Sequence, residues 1–69
     1  MVKLDLHGTR HIDVREKVIR LVEDNWNSME EVMIVTGHSL SMKALVIEVL
    51  NEYKLNHQNK VGCITALME

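Results

Sequence analysis

The chain opens on an alternation of apolar and polar side chains over residues 2–7, which is the pattern of a half-buried strand that the following glycine ends. Residues 13–26 then place their apolar side chains on one half of a helical cylinder, so they are predicted to form an amphipathic helix. Asp13 followed by Glu16 fits a capping box, whereas Thr9 would start this helix one turn earlier.

The second half of the chain repeats this order of elements. Residues 31–36 contain an unbroken apolar run, typical of a strand that is covered on both faces, and residues 42–52 return to helical spacing. The tail is predicted to form a short strand, a polar turn and a longer strand, at residues 53–57, 58–60 and 63–68. The pattern predicts one α/β domain over residues 1–69, a two-layer βαβαββ sandwich with a mixed four-stranded sheet and two helices.

Composition places the domain in a broad class. The 69 residues are 46% hydrophobic and 26% charged, which is typical of a globular protein, and no apolar run approaches the length of a membrane span. The first residues carry charges where a signal peptide needs its apolar region. Cys63 is the single cysteine and is expected in the core, so no internal disulfide forms. We therefore expect a cytoplasmic protein with no membrane association.

The formal net charge of −2 is unevenly distributed. Residues 1–20 carry five basic and three acidic side chains, whereas residues 21–52 carry one basic and six acidic side chains. The total excludes a histone-like protein that binds nucleic acid through bulk positive charge, but it leaves a local basic patch in the first third. The acidic second half is expected either to meet a protein partner or to keep the domain soluble.

Candidate functional groups converge at one edge of the predicted sheet. A strand–helix–strand order makes the first two strands parallel, so their carboxyl ends lie at the same edge, where open α/β sheets bind ligands. The residues delivered there are Asp5, His7 and Gly8 from the first strand, and Thr36, Gly37, His38 and Ser39 from the second.

These residues carry a family resemblance. Residues 4–8 read LDLHG, and residues 36–39 read Thr-Gly-x-Ser, followed by Met42 and Lys43. The chain resembles the compact, single-domain form of the small MutS-related (Smr) domain, which is marked by an LDLHG motif and a later TGxG motif. Ser39 stands where many members have the second glycine. The resemblance implies a fold like the C-terminal domain of bacterial initiation factor three, and it implies nucleic-acid binding with nicking or cleavage in several members.

The resemblance implicates Asp5, His7, Thr36 and Gly37 in cleavage or binding. Asp5 and His7 are two residues apart on a strand, so their side chains are expected on one face, with the carboxylate holding the imidazole in one tautomer. His7 is then the expected general base, and His38 or a water molecule the expected general acid. The expected nucleic-acid or phosphate ligands are Gly8, Arg10, His11, Thr36, Gly37, Ser39 and Lys43.

Two functions fit this set of residues. The first is a nucleic-acid-binding protein that acts as a weak DNA-nicking or RNA-cleaving endonuclease, and the second is a non-catalytic binding or adaptor module. RNA cleavage needs no metal ion, because the 2′-hydroxyl supplies the nucleophile, whereas DNA nicking would call for a metal-activated water. No cofactor is predicted, no metal-ligand spacing is recognisable, and Arg15 is expected to lie over Trp26.

Overall fold

The computed structural model describes residues 2–69 and contains four strands and two helices in the order βαβαββ. The strands are β1 (Val2–Asp5), β2 (Glu31–Val35), β3 (His57–Lys60) and β4 (Cys63–Leu67), and the helices are α1 (His11–Asp24) and α2 (Leu40–Glu52). This arrangement confirms the predicted α/β class with two helices on a mixed four-stranded sheet. No helix within residues 2–69 is long and apolar enough to cross a membrane.

The strands lie in the order β1-β2-β4-β3. β1 is parallel to β2, in a register that sets Asp5 opposite Val35, and β4 is antiparallel to both of its neighbours. Cys63 of β4 lies opposite Val35 on one side and Lys60 on the other. The carboxyl ends of β1 and β2 therefore share one end of the sheet with the β3–β4 turn, and both helices begin there.

One face of the sheet holds the core. Both helices pack on this face, where the buried side chains of the sheet include Val32, Ile34, Ile64 and Ala66. The helices bury Val14, Val18, Leu21 and Val22 from α1, and Met42, Val46, Val49 and Leu50 from α2. The expectation that β2 is covered on both faces is wrong, because its alternate residues Met33 and Val35 are only half-buried on the opposite, open face.

Element boundaries differ from the predicted ones at two places. α1 spans residues 11–24 because Arg10, not Asp13, occupies its N-cap, and no side chain caps that end. The strand predicted at 53–57 lies at His57–Lys60 instead. Lys54 adopts a left-handed φ of 57°, and the N–H of Leu55 then donates to the carbonyl of Leu50, which ends α2 and delays the strand.

Arg15 does not lie over Trp26 but joins the two helices. Its guanidinium makes a two-pronged ion pair with Glu52 of α2, at 2.6 and 2.9 Å, and reaches Glu48 at 3.2 Å. The hydrogen bond from Arg15 lowers the pKa of the Glu52 carboxyl, and the same bond raises the pKa of Arg15. Trp26 instead contacts Tyr53 edge to face, with ring centroids 5.9 Å apart.

One further expectation about packing is wrong. Cys63 is half-buried on the open face of the sheet, not in the core, because its strand neighbours Ile64 and Ala66 take the covered side. Met29 is an exposed residue of the α1–β2 loop with a φ of 61°, whereas Met42 and Met68 are core residues.

Candidate nucleic-acid interface

Three turns meet at the end of the sheet where β1 and β2 finish. They are the first βα turn (residues 6–10), the second βα turn (residues 36–39) and the β3–β4 turn (residues 61–62). Together with the first residues of α1 and α2, these turns form a surface that we call the loop end. It contains every site residue predicted from the sequence except Asp5, which ends β1 beside it, and Lys43, which lies one turn into α2.

The first βα turn is closed by its own main chain. The N–H of Thr9 donates to the carbonyl of Leu6 at 2.9 Å, and Gly8 has a φ of 78°, a conformation that glycine adopts without steric cost. Leu6 is fully buried and anchors the turn, while His7, Arg10 and the neighbouring His11 are exposed. The buried leucine thus fixes the turn, and the imidazole and guanidinium groups remain accessible.

Asp5 supports this turn in a way that the sequence did not predict. Its Oδ1 accepts a hydrogen bond of 2.8 Å from the main-chain N–H of His7. β1 ends at Asp5, so His7 is a turn residue and does not continue the alternation of the strand. The carboxylate therefore orients the His7 backbone, and within residues 2–69 no hydrogen bond joins it to the imidazole.

The second βα turn is built into the fold. The N–H groups of Thr36 and Gly37 both donate to the carbonyl of Gly62, at 3.1 and 3.0 Å. The Thr36 side chain is buried and its hydroxyl donates to the carbonyl of Gly37, so the hydroxyl proton is already used inside the protein. Ser39 is the N-cap of α2, where its Oγ accepts from the N–H of Met42 at 3.2 Å. His38 is the exposed residue of the turn.

Lys43 holds the β3–β4 turn against α2. Its ammonium donates to Asn59 Oδ1 at 2.8 Å and to the carbonyl of Lys60 at 2.7 Å. Two of its three protons are therefore used inside the protein, which gives Lys43 a structural function that its position in the sequence did not indicate. The side chain of Lys60, the last residue of β3 before this turn, is exposed.

Some charged side chains of the loop end already have partners within the protein, and others are free to contact a ligand. Asp13 already accepts from Arg10 Nε at 3.2 Å, and the rest of the Arg10 guanidinium projects into solvent, since 80% of the side chain is exposed. His7, His11, His38 and Lys60 are exposed as well. Acidic side chains gather at the other end of the molecule, at the end of α1 and the start of β2: Glu23, Asp24, Glu30 and Glu31. The molecule is therefore polarised, with cationic groups at the loop end.

Three apolar side chains also project from the loop end. Ile12 and Leu40, in the first turns of α1 and α2, are each 81% exposed, and Val61 of the β3–β4 turn is 89% exposed. They are three of the five large hydrophobic side chains exposed within residues 2–69. Neither these three side chains nor Lys60 was predicted as part of the site. Gly62, which has a φ of 75°, is the signal for a turn at Val61-Gly62. Predicting the turn there, and not at residues 58–60, would have identified Val61 and Lys60 as residues of this end.

α1 is the helix whose start carries no side-chain cap. Every helix begins with N–H groups that have no partner within it, and at α2 the Ser39 side chain accepts from one of them, that of Met42. Arg10 and His11 lie at the uncapped start of α1. In the part of the chain that the structure describes, no three His, Cys, Asp or Glu side chains are placed to hold a metal ion together. The arrangement is thus suited to an anionic ligand through N–H groups, a guanidinium and imidazoles.

Neither a protein-family model, nor a characterised protein, nor a solved structure matches this chain.

Proposed function

We propose that this protein binds nucleic acid through the loop end. The observation that carries the proposal is the gathering of accessible cations and imidazoles at one end, where the two nearby carboxylates already have partners. Arg10 offsets the charge of Asp13 in an ion pair, and Asp5 is turned towards the His7 backbone, from which one of its oxygens accepts. The LDLHG and Thr-Gly-x-Ser motifs lie at the same end, and their resemblance to the Smr family supports the same ligand class.

The proposal assigns the phosphate to the first βα turn. Arg10 offers its terminal guanidinium nitrogens, and the first N–H groups of α1 point out of an uncapped terminus. The second βα turn supports the surface, and the N–H groups of Thr36, Gly37 and Met42 already donate to Gly62 and Ser39. Ile12, Leu40 and Val61 then supply apolar contacts for sugars and bases next to the cations.

The test is a fluorescence-anisotropy titration of labelled single-stranded RNA and duplex DNA over a series of salt concentrations. Because few cations are available, we expect micromolar or weaker affinity and, on single strands, a slope of log K against log salt of about −2. Arg10→Ala should reduce the magnitude of that slope by about 0.7. Arg20→Ala is the matched control, because it removes the same charge about 15 Å further along α1. Equal effects of the two variants would place the binding surface elsewhere.

A second candidate function is RNA cleavage by the two exposed histidines. His7 and His38 lie on turns that follow adjacent parallel strands, and in the described part of the chain neither imidazole makes a hydrogen bond. In this reaction His7 accepts the 2′-hydroxyl proton, the 2′ oxygen attacks phosphorus, and the bond to the 5′ oxygen breaks as His38 protonates it. The expected products are a 2′,3′-cyclic phosphate and a 5′-hydroxyl, formed without a metal ion.

The cleavage candidate is tested with His7→Ala and His38→Ala on end-labelled RNA. A group that transfers a proton typically contributes about 10²–10⁴ in rate, so each variant should lose that much activity with nearly unchanged binding. Asp5→Asn should lose less, because its carboxylate contacts the His7 backbone. Full activity in His7→Ala would overturn the mechanism, and loss of activity with a chelator would replace it with a metal-bound water. If the wild type leaves RNA intact, nucleic-acid binding remains as the one proposed function.

A further inference from the structure

The outer edge of β1 presents main-chain groups that pair with no strand within residues 2–69. β1 is the first strand of the sheet order and has β2 on one side only. The N–H of Leu6 donates to the carbonyl of Val35 at 2.9 Å, so Leu6 and Leu4 direct their main-chain groups towards β2. Because successive residues of a strand direct these groups to opposite sides, the N–H and carbonyl groups of Lys3 and Asp5 point outward.

The sequence of this strand is complementary to itself in the antiparallel direction. If Leu4 faces Leu4 of a second copy, Lys3 of each chain faces Asp5 of the other. The outward-pointing main-chain groups belong to the same two residues, so each Lys3–Asp5 pair also exchanges two main-chain hydrogen bonds. Both side chains lie on the open face, where the opposite charges attract, and the two Leu4 side chains meet on the helix face.

The helix beside β1 repeats this complementarity. An open groove of about 310 Å³ next to Leu4 is lined by Lys17, Arg20, Leu21 and Asp24 of α1. A two-fold axis through the Leu4 pair makes the α1 helices of the two copies run past each other in opposite directions. Lys17 of each copy then lies opposite Asp24 of the other, and the apolar Leu21 lies near the centre. Lys3 and Asp5 of the strand and Lys17 and Asp24 of the helix therefore present opposite charges about the same axis, while Arg20 pairs with Glu16 of its own helix at 3.7 Å.

We propose that the protein forms a symmetric dimer in which the β1 strands of two copies pair in the antiparallel direction and make a continuous eight-stranded sheet. A lysine on an edge strand normally discourages such pairing, but here Asp5 of the second copy neutralises Lys3. The other edge strand, β3, has the sequence His-Gln-Asn-Lys with no acidic residue, and antiparallel self-pairing would leave Lys60 without an acidic partner. The dimer does not depend on nucleic-acid binding, because its two loop ends point in opposite directions.

The first test is sedimentation velocity of the full chain over a concentration series. The wild type should change from monomer to dimer as its concentration rises, and Lys3→Glu should raise the dimer dissociation constant about tenfold or more, because it creates two like-charge pairs. Lys60→Glu, which makes the same charge change on the other edge strand, should have no effect. A wild type that stays monomeric up to about 1 mM overturns the proposal, as does a loss of the dimer in Lys60→Glu but not in Lys3→Glu.

A charge exchange tests the helix contact. Lys17→Asp and Asp24→Lys each place like charges across the axis and should weaken the dimer, whereas the double variant Lys17→Asp/Asp24→Lys restores opposite charges and should return the dissociation constant to near that of the wild type. Both positions are exposed on α1, so the fold should tolerate the changes, and circular dichroism of each variant would check this. A double variant weaker than both single variants would exclude this axis.

An engineered disulfide between the two copies tests the register in which their β1 strands pair. Residues that face each other across a non-hydrogen-bonded antiparallel pair have Cα atoms about 4.5 Å apart, within the range of a disulfide. In a Cys63→Ser background, Leu4→Cys should therefore form a disulfide-linked dimer under mild oxidation. Lys3→Cys, on the more exposed neighbouring residue, should cross-link far less because it faces Asp5. Equal cross-linking of the two variants would indicate random collisions and contradict the proposed register.

Discussion

The two βα turns share one plan but differ in what holds them. Each follows a strand of the parallel pair, contains a glycine with positive φ, and leads into a helix. The second turn is fixed from outside, by two N–H bonds to Gly62 and by a serine cap on its helix. The first turn is fixed by its neighbours in the chain, through Leu6, Asp5 and Thr9, and its helix has no cap.

This difference shows how the same strand–turn–helix unit serves either as a structural joint or as an accessible surface. The second turn has long-range partners, since Gly62 lies 25 residues beyond Gly37 in the chain. The Gly62 carbonyl occupies the N–H groups of Thr36 and Gly37. Apart from the bond of the Leu6 N–H to Val35, the first turn is held by residues near it in the chain, and its imidazole, its guanidinium and the start of α1 stay open. We therefore expect substitutions in the second turn to act on stability, and polar substitutions in the first to act on binding.

The largest expected effect is the loss of stability in Leu6→Ala, which lies in the first turn but acts on the core and not on binding. Leu6 is fully buried, so Leu6→Ala should lower the free energy of unfolding by about 2–5 kcal/mol. Asp5→Asn, one residue earlier, keeps an oxygen that accepts from the His7 N–H and should cost less than about 1 kcal/mol. Urea denaturation measures both. A larger loss for Asp5→Asn would contradict the assignment of the two faces of β1.

The glycines sharpen the comparison directly. Gly8 (φ 78°) and Gly37 (φ 66°) both have open space where a Cβ would stand, so an alanine meets only backbone strain of about 1–2 kcal/mol. The bonds that hold the turn at Gly8 come from residues next to it in the chain and can shift with it, whereas Gly37 itself is held by its N–H bond to the distant Gly62. Gly37→Ala should therefore be the more destabilising variant in thermal denaturation, and Gly37→Asn, which tolerates positive φ, should recover part of the loss. Equal costs at both sites would show that both turns are equally rigid.

The helix caps should give effects of opposite sign. Ser39→Ala removes the cap of α2 and should lower stability by about 0.5–2 kcal/mol. Arg10→Ser places a capping residue at the uncapped start of α1 and should raise stability by up to about 1 kcal/mol, while it weakens nucleic-acid binding. Denaturation and anisotropy measured on both variants separate the two functions. Stronger binding by Arg10→Ser would remove the first turn from the proposed interface.

The smallest expected effect concerns the ion pair that joins the helices behind these turns. Arg15 lowers the pKa of Glu52 in the folded state, so its stabilisation is present above the ordinary carboxyl pKa of about 4.5 and is lost as the pH falls through the lowered value. Both side chains are about half exposed, so the gain is small. Glu52→Gln should lower the Tm slightly at pH 7 and make no difference once the acid has titrated, as calorimetry over pH 2–7 would measure. A constant difference would show that Glu52 acts by packing alone.

Periodicity predicted most of the fold because it reports which side chains face the core. It placed β1, α1, β2, α2 and β4 within a few residues of their observed bounds, and it brought the predicted site residues to one end of the sheet. It failed at β3, where Leu55 is buried as part of the α2 terminus, so its apolar character does not mark a strand. It also could not assign Arg15 or Lys43, whose partners lie 33 to 37 and 16 to 17 residues away and become neighbours only in the folded chain.

The position of β1 at the edge of the sheet has a consequence for the order in which the molecule assembles and opens. The β3–β4 hairpin closes through a two-residue turn, and such hairpins form in about 1–10 μs, whereas β1 can pair with β2 only after the chain between them has crossed back. Because β1 has a neighbour on one side only, it can separate from the sheet by a local opening that leaves the other three strands paired. The amides of Leu4 and Leu6, which point towards β2, should exchange with solvent faster than that of Ile34. A ligand that binds the exposed groups of the first βα turn should slow exchange at these two amides, because it stabilises the state in which β1 is paired.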